Sequence, residues 1–235
     1  MVILYKTKVE YAEERGLYAV TPYRGCSHGC KYCYNRLIRR MKYNDWIHAE
    51  PRSFSIIKLS REIDRVKPKG VFISFGCDPY QPLEEKCKLT RAIIELLNRK
   101  RVPYWILTKS NLILRDAELF DSKLCMLGLS ITTFDPSTEK YWEPNSTPNI
   151  KRLEALKTLK QLGFKTWVSL EPILDWTYPH IIREVAPYID LIVIGKLNYF
   201  KPLKPMDWKK VKKKAEQICN EYGLNYIIKK ELKSL

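Results

Sequence analysis

The sequence predicts an α/β protein built as a single-domain, partial (β/α)6 barrel of TIM type, and three observations carry this expectation. Short apolar, β-branched or aromatic runs recur along the 235-residue chain, amphipathic stretches of helical length lie between them, and glycine or proline marks the boundaries. Six strand-helix units in series imply parallel strands joined by right-handed crossovers. An open doubly wound sheet satisfies the same periodicity, because alternation alone does not close a barrel.

The first strand is expected near 17–22 and the second near 70–75, where Gly-Val-Phe-Ile-Ser-Phe is almost wholly apolar. The remaining four follow near 102–108, 124–131, 164–170 and 189–195. Helical patterns fill the intervals near 54–66, 90–100, 112–120, 148–162 and 178–186. The fourth has a full boundary signature, with Thr147 as N-cap, Pro148 at the first helical position and Gly163 just past the end. A last helix is expected from about Asp207 to Tyr222, stopped by Gly223.

At 45% hydrophobic and 29% charged residues, the chain is long enough for one sizeable core, so 1–235 is read as one domain, with two small ones as the alternative. Apolar runs such as Leu191 to Ile194 are far too short to span a membrane, and the opening residues lack a signal-peptide pattern. A cytoplasmic location without a membrane partner is therefore expected. Seven cysteines, an odd number, argue against a disulfide framework and suit a reducing compartment. The 42 Lys and Arg against 26 Asp and Glu give a net charge of +16. The Lys-rich segment 196–235 alone holds 11 Lys and 4 acids. Such a surface attracts polyanions, which points to nucleic acid; a solvated, Lys-rich exterior is the plainer alternative.

The most specific feature is Cys26-Ser-His-Gly-Cys30-Lys-Tyr-Cys33. Three thiolates at this spacing hold three corners of a four-iron cluster and leave one iron open. An electron-transfer cluster wants four cysteines and a structural zinc site four ligands. Two closed alternatives stand beside this: zinc with His28 as fourth ligand, or a cluster completed by Cys77 or Cys87. In either architecture, functional groups belong on the loops after the carboxyl ends of the strands, where the motif sits. Polar groups at the other strand ends are Thr108, Lys109 and Ser110; Ser130 and Thr132; Ser169 and Glu171; and Lys196 and Asn198.

The run Thr21 to Asn35, TPYRGCSHGCKYCYN, resembles the radical S-adenosylmethionine (SAM) superfamily. With DPYQPLE at 78–84 it is similar to the branch that includes spore photoproduct lyase. The resemblance implies a partial TIM-type barrel, a 4Fe-4S cluster on Cys26, Cys30 and Cys33, and SAM chelated at the open iron. It further implies Tyr32 beside the adenine, and it nominates Asp78 for the SAM amino group and Ser130, Thr132 and Glu171 for the ribose and carboxylate. The Gly-Gly-Glu-like turn of the family is replaced here by Gly76-Cys77-Asp78, and Glu171-Pro172-Ile173-Leu174-Asp175 stands where a glycine-rich adenine motif is common.

By the same resemblance the activity is reductive SAM cleavage to a 5'-deoxyadenosyl radical. Cys77 would then be a hydrogen-atom donor accompanied by Tyr32 and Tyr34; a small buried hydrophobe is the structural alternative for Cys77. Ferredoxin or flavodoxin would supply electrons. The substrate is expected to be a nucleic acid that the sequence does not identify, with DNA, as for the photoproduct lyase, as one reading and RNA or tRNA as a second. A nucleic-acid-binding module with a purely structural metal, or an electron-transfer protein with a fourth cysteine ligand, are the rivals from other classes.

Overall fold

The computed structural model describes residues 3–7, 12, 14–53 and 55–235. Its main sheet contains β1 (Leu4–Lys6), β2 (Tyr18–Val20), β3 (Val71–Ile73), β4 (Tyr104–Thr108), β5 (Cys125–Ser130), β6 (Thr166–Ile173), β7 (Leu191–Lys196) and β8 (Tyr226–Ile228). These eight strands lie side by side in chain order. From β2 to β8 every pairing is parallel, whereas β1 runs antiparallel to β2. β1 and β8 are the two edges, so the barrel is open.

The six expected strands are all present, and β1 and β8 extend the sheet beyond them. Each added strand has only three residues, too few for a period to stand out. Partnership, not local pattern, makes them strands: Leu4 aligns with Val20, and Ile228 with Ile194.

Alternate residues face opposite sides of the sheet. Ile73, Ile106, Leu127, Leu129, Val168 and Ile194 belong to the core under the helices. Phe72, Leu107, Met126, Trp167 and Val193 belong to the second core, which fills the barrel interior. There the Trp167 indole donates to the Ile106 carbonyl at 3.0 Å. Gly128 leaves it the room, since a Cβ on that residue would overlap the indole. Bulk is thus concentrated deep in the barrel, and small residues such as Ser130, Ser169 and Gly195 are left at its carboxyl end.

The outer helices are α1 (Ile56–Val66), α2 (Leu89–Arg99), α3 (Asn149–Gln161), α4 (Tyr178–Val185) and α5 (Trp208–Glu221). α1 opens on Ser55, which accepts from the Ile57 amide; Phe54, where the pattern placed its start, lies outside the described residues. The expected cap of α3 is corrected by one residue: Pro148, with ψ 140°, is the N-cap, and Thr147 stands outside the helix. The reason is tertiary. The Thr147 hydroxyl engages Asn111, while Glu139 takes over capping by accepting from the Asn149 amide at 2.6 Å. Gly163 and Gly223, at φ +84° and +61°, end α3 and α5 as expected.

The expected helix at 112–120 is instead a 3-10 segment, Asn111–Leu119. Buried Asp116 pins it to Tyr80 and Arg91.

Candidate active site

The loop after β2 carries the three cysteines and owes its path to two glycines. Gly25 has φ +77°, and a Cβ there would sit 2.6 Å from the Trp46 carbonyl; Gly29 has φ +61° and would press on the Tyr43 hydroxyl at 2.8 Å. The Cys26 amide donates to Trp46 O at 2.8 Å, and the Gln81 side chain accepts from the Ser27 amide at 2.9 Å. A two-stranded ribbon, Tyr23–Arg24 with Glu50–Pro51, flanks the loop.

Cys26 and Cys30 are buried and Cys33 is half-buried. Burial pushes all three thiols above the ordinary range. Glu143 raises Cys30 further, and the cations of Lys109 and Arg152 oppose it. Cys33 is the N-cap of the short helix Tyr34–Ile38, and the nearby Asn35 and Arg36 amides oppose part of the rise in its pKa. Three desolvated soft donors on one short loop fit an iron-sulfur cluster, whose irons take one thiolate each and compensate the charge that the dry site otherwise disfavours. Among the described residues no three His, Cys, Asp or Glu side chains converge on a single-ion site. His28 instead faces Asp78, its Nδ1 3.4 Å from Asp78 Oδ2, so the zinc centre with His28 is not built.

Asp78, in the loop after β3, gathers donors from its own loop and from the end of β4. Its Oδ1 accepts from the Tyr80 amide at 2.8 Å and the Thr108 hydroxyl at 2.6 Å, and its Oδ2 accepts from the Lys109 amide at 2.7 Å. Burial works to raise its pKa, but His28, Thr108 and Lys109 together hold it at about 2. The cysteine loop is thereby fastened to the ends of β3 and β4.

A second buried network adjoins Cys30 and was not legible in the motif. Glu143, directly after the helix Pro136–Trp142, accepts from the Tyr32 phenol and, at 2.9 Å, from the Thr132 hydroxyl. Its other oxygen lies 2.6 Å from Arg152 Nη2, and Lys109 Nζ stands 3.9 Å away. Burial opposes ionisation of Glu143, yet Arg152 first and Lys109 second hold it at about 2. Arg152, with no exposed side-chain surface, also donates to the carbonyls of Thr147 and Ser130 and to the Ser146 hydroxyl at 2.7 Å. One signal was available: Arg152 falls on the buried stripe of α3 with Leu153, Leu156 and Leu159, and a cation there requires an acid.

The nominated residues divide accordingly. Tyr32 and Thr132 meet on Glu143, and Ser130 is buried beside them through Arg152. Tyr34 is half-exposed; burial of its hydroxyl end and the nearby Glu171 carboxylate push the phenol up to about 12. Glu171 packs against Gly195, and Lys229 Nζ lies 3.9 Å from its Oε1. Cys77 lies 3.4 Å from the Ser74 hydroxyl, and burial pushes its thiol up to about 12. Cys77 also adds to the raised pKa of Cys26, which places it beside the motif. Cys87 ends the short helix Leu83–Cys87 and acts on Tyr23. Lys196 closes β7, and Asn198 follows it.

An open parallel barrel with a cysteine trio on the loop after its first parallel strand defines an iron-sulfur enzyme of radical type. The chain belongs to the radical SAM superfamily, whose family model matches residues 20–181. Its cofactors are a 4Fe-4S cluster and SAM. Over 188 residues it is 35% identical to the uncharacterized protein MJ0683 of Methanocaldococcus jannaschii, covering 77% of this chain and 70% of that one. Spore photoproduct lyase, solved with a dinucleoside spore photoproduct, superposes with TM-score 0.68 at 14% identity, covering 96% of this chain and 78% of that one. Streptococcus suis SuiB bound to SAM gives TM-score 0.68 at 15% identity over 94% of this chain and 53% of that one. Likeness at these identities establishes the fold. Among the described residues no helix is long and apolar enough to cross a membrane.

Proposed function

We propose that this enzyme holds its cluster on Cys26, Cys30 and Cys33 and directs radical chemistry at a nucleic-acid substrate. The observation that carries the reading is the convergence of those desolvated cysteines with Tyr32, Asp78, Thr132 and Glu171 at the carboxyl end of one barrel. When bound, the cluster and SAM supply one-electron cleavage to methionine and a 5'-deoxyadenosyl radical, which abstracts hydrogen from the substrate.

The chain's own groups bind and orient. Glu143 fixes the Tyr32 ring for the adenine, and Asp78 fixes the loop on the side of the SAM amino group. Ser130, Thr132 and Glu171 would hold the ribose and carboxylate. Cys77 suits a hydrogen-atom donor because a thiol held at about 12 keeps its S-H bond at neutral pH. Tyr32 and Tyr34 stand with it. A net charge of +16 favours a polyanionic substrate, and spore photoproduct lyase offers the precedent of a bound dinucleoside. Electrons come from a ferredoxin- or flavodoxin-like donor.

Anaerobically reconstituted protein is expected to hold about four iron and four sulfide per chain and to release 5'-deoxyadenosine with dithionite. A stoichiometric zinc content with no nucleoside product would end the reading. Salt-dependent affinity for damaged duplex DNA against tRNA separates the two nucleic-acid substrates.

A further inference from the structure

A small third core joins the loops at the carboxyl end of the barrel. Trp142 ends the helix after β5, Leu174 directly follows β6 and Leu197 directly follows β7; the three pack together, with Tyr32 and Phe200 against them. The Trp142 ring stands 6.1 Å from that of Tyr32 and 5.9 Å from that of Phe200, so this knot adjoins the cysteine loop. The Phe134 amide, donating to the Thr177 hydroxyl at 3.0 Å, ties the loops after β5 and β6 together as well.

The chain neighbours of these buried anchors are exposed rings. Tyr141 is 44% exposed, Trp176 47% and Tyr199 79%; among the described residues of 136–142, 174–177 and 197–207, Leu203 is the one other large apolar side chain left so open. Tyr199 stands at φ +66°, a left-handed conformation that glycine takes freely and tyrosine takes at a cost. A ring so exposed buries too little to offset that cost, and a use outside the fold is needed to explain it. Lysines are interleaved with the rings. Lys31 Nζ lies 3.6 Å from the centroid of Tyr141, and Lys140, Lys201 and Lys204 are exposed beside Tyr141 and after Tyr199. From Lys196 to Met206 there is no acid. The acids of the adjoining segments are already engaged: Asp135 accepts from the Thr138 amide, Glu139 from the Asn149 amide, and Asp175 from the Thr133 and Thr177 hydroxyls.

Resting on the nucleic-acid reading given above, we infer that this rim takes an unpaired strand, with bases stacked on Trp176 and Tyr199 and phosphates on Lys201 and Lys204. Open rings set among cations hold a strand whose base faces are free. A duplex keeps those faces in its own stack, so the rings add nothing to what the lysines give it. A protein partner is the poorer match, because lysine is depleted at protein interfaces and every cation on these segments is a lysine.

The test uses the full chain, loaded anaerobically, and fluorescein-labelled strands of about fifteen nucleotides, in DNA and in RNA, each alone and annealed to its complement. Binding is read by anisotropy above physiological salt. Wild type should bind the single strands at least about tenfold more tightly than the duplexes. Trp176→Ala and Tyr199→Gly, the latter suited to the left-handed turn, should each lose about five- to 150-fold for the single strand and less than about twofold for the duplex. Iron content and urea midpoint should be unchanged in Trp176→Ala, and unchanged or raised in Tyr199→Gly. Lys201→Gln/Lys204→Gln should weaken both forms and flatten the salt dependence of both.

Duplex bound as tightly as single strand overturns the inference, as do ring variants equal to wild type. So does displacement of the strand by poly-glutamate at equal charge, which would assign the rim to an acidic peptide. Should Trp176→Ala lose iron, Tyr199→Gly and the wild-type preference decide. Failure of the nucleic-acid reading itself looks different: wild type then binds neither strand nor duplex, even at low salt.

Discussion

Arg152→Met puts the buried network beside Cys30 to a quantitative test. The substitution keeps much of the side chain's bulk but removes the cation 2.6 Å from Glu143, together with the hydrogen bonds to Thr147, Ser130 and Ser146. Breaking a buried pair from one side costs about 3–5 kcal/mol, because the remaining charge is stranded. Lys109 Nζ, 3.9 Å from Glu143, stays behind and offsets part of the loss, so the low end, about 3 kcal/mol, is expected. At roughly 2–4 °C per kcal/mol for a chain of this size, that is about 6–12 °C in Tm.

The sign of the pH dependence follows from the direction of the shift. Glu143 is held at about 2 in the fold against its ordinary 4.5, so its contribution is complete above 4.5 and lost as pH falls toward 2. The gap between wild type and Arg152→Met should therefore be widest near neutrality and narrow over that acid window. Adding Glu143→Gln should restore part of the stability at pH 7, since the stranded charge goes with it. Urea unfolding of the cluster-free, reduced proteins from pH 7 to pH 3 measures all of this. A loss below about 1 kcal/mol at pH 7, or a loss that does not change with pH, would refute the electrostatic account.

Three further outcomes are expected. Gly128→Ala should force Trp167 from its seat and its bond to Ile106, destabilising the fold by about 1–3 kcal/mol in urea. Cys33→Ala should abolish the reconstituted cluster spectrum while Cys87→Ala retains it; equal iron loss in both would reject the ligand assignment. Cys77→Ala should leave 5'-deoxyadenosine formation intact but divert or stall the final product, and an unchanged product yield would remove Cys77 from the proposed mechanism.

Much of the scaffold was legible because its signals are local. Gly163 and Gly223 mark helix ends wherever the chain folds, and a strand of the apolarity of 70–75 is read from its own residues. The errors fell where a distant partner overrode the local signal. Glu139 displaced Thr147 as the cap of α3, Asp116 drew 111–119 into a 3-10 path, and β1 and β8 exist only because β2 and β7 receive them.

By itself, the sequence determined the serial order of strands and helices and the cysteine trio, since spacing and period are properties of adjacent residues. The tertiary structure alone decided what surrounds that trio. Tyr32 reaches Glu143 across 111 positions, and Ser27 reaches Gln81 across 54. The physical reason is that a buried charge is tolerable only where the fold brings its partners to it. No local pattern states which strand ends will meet around Asp78 and Glu143.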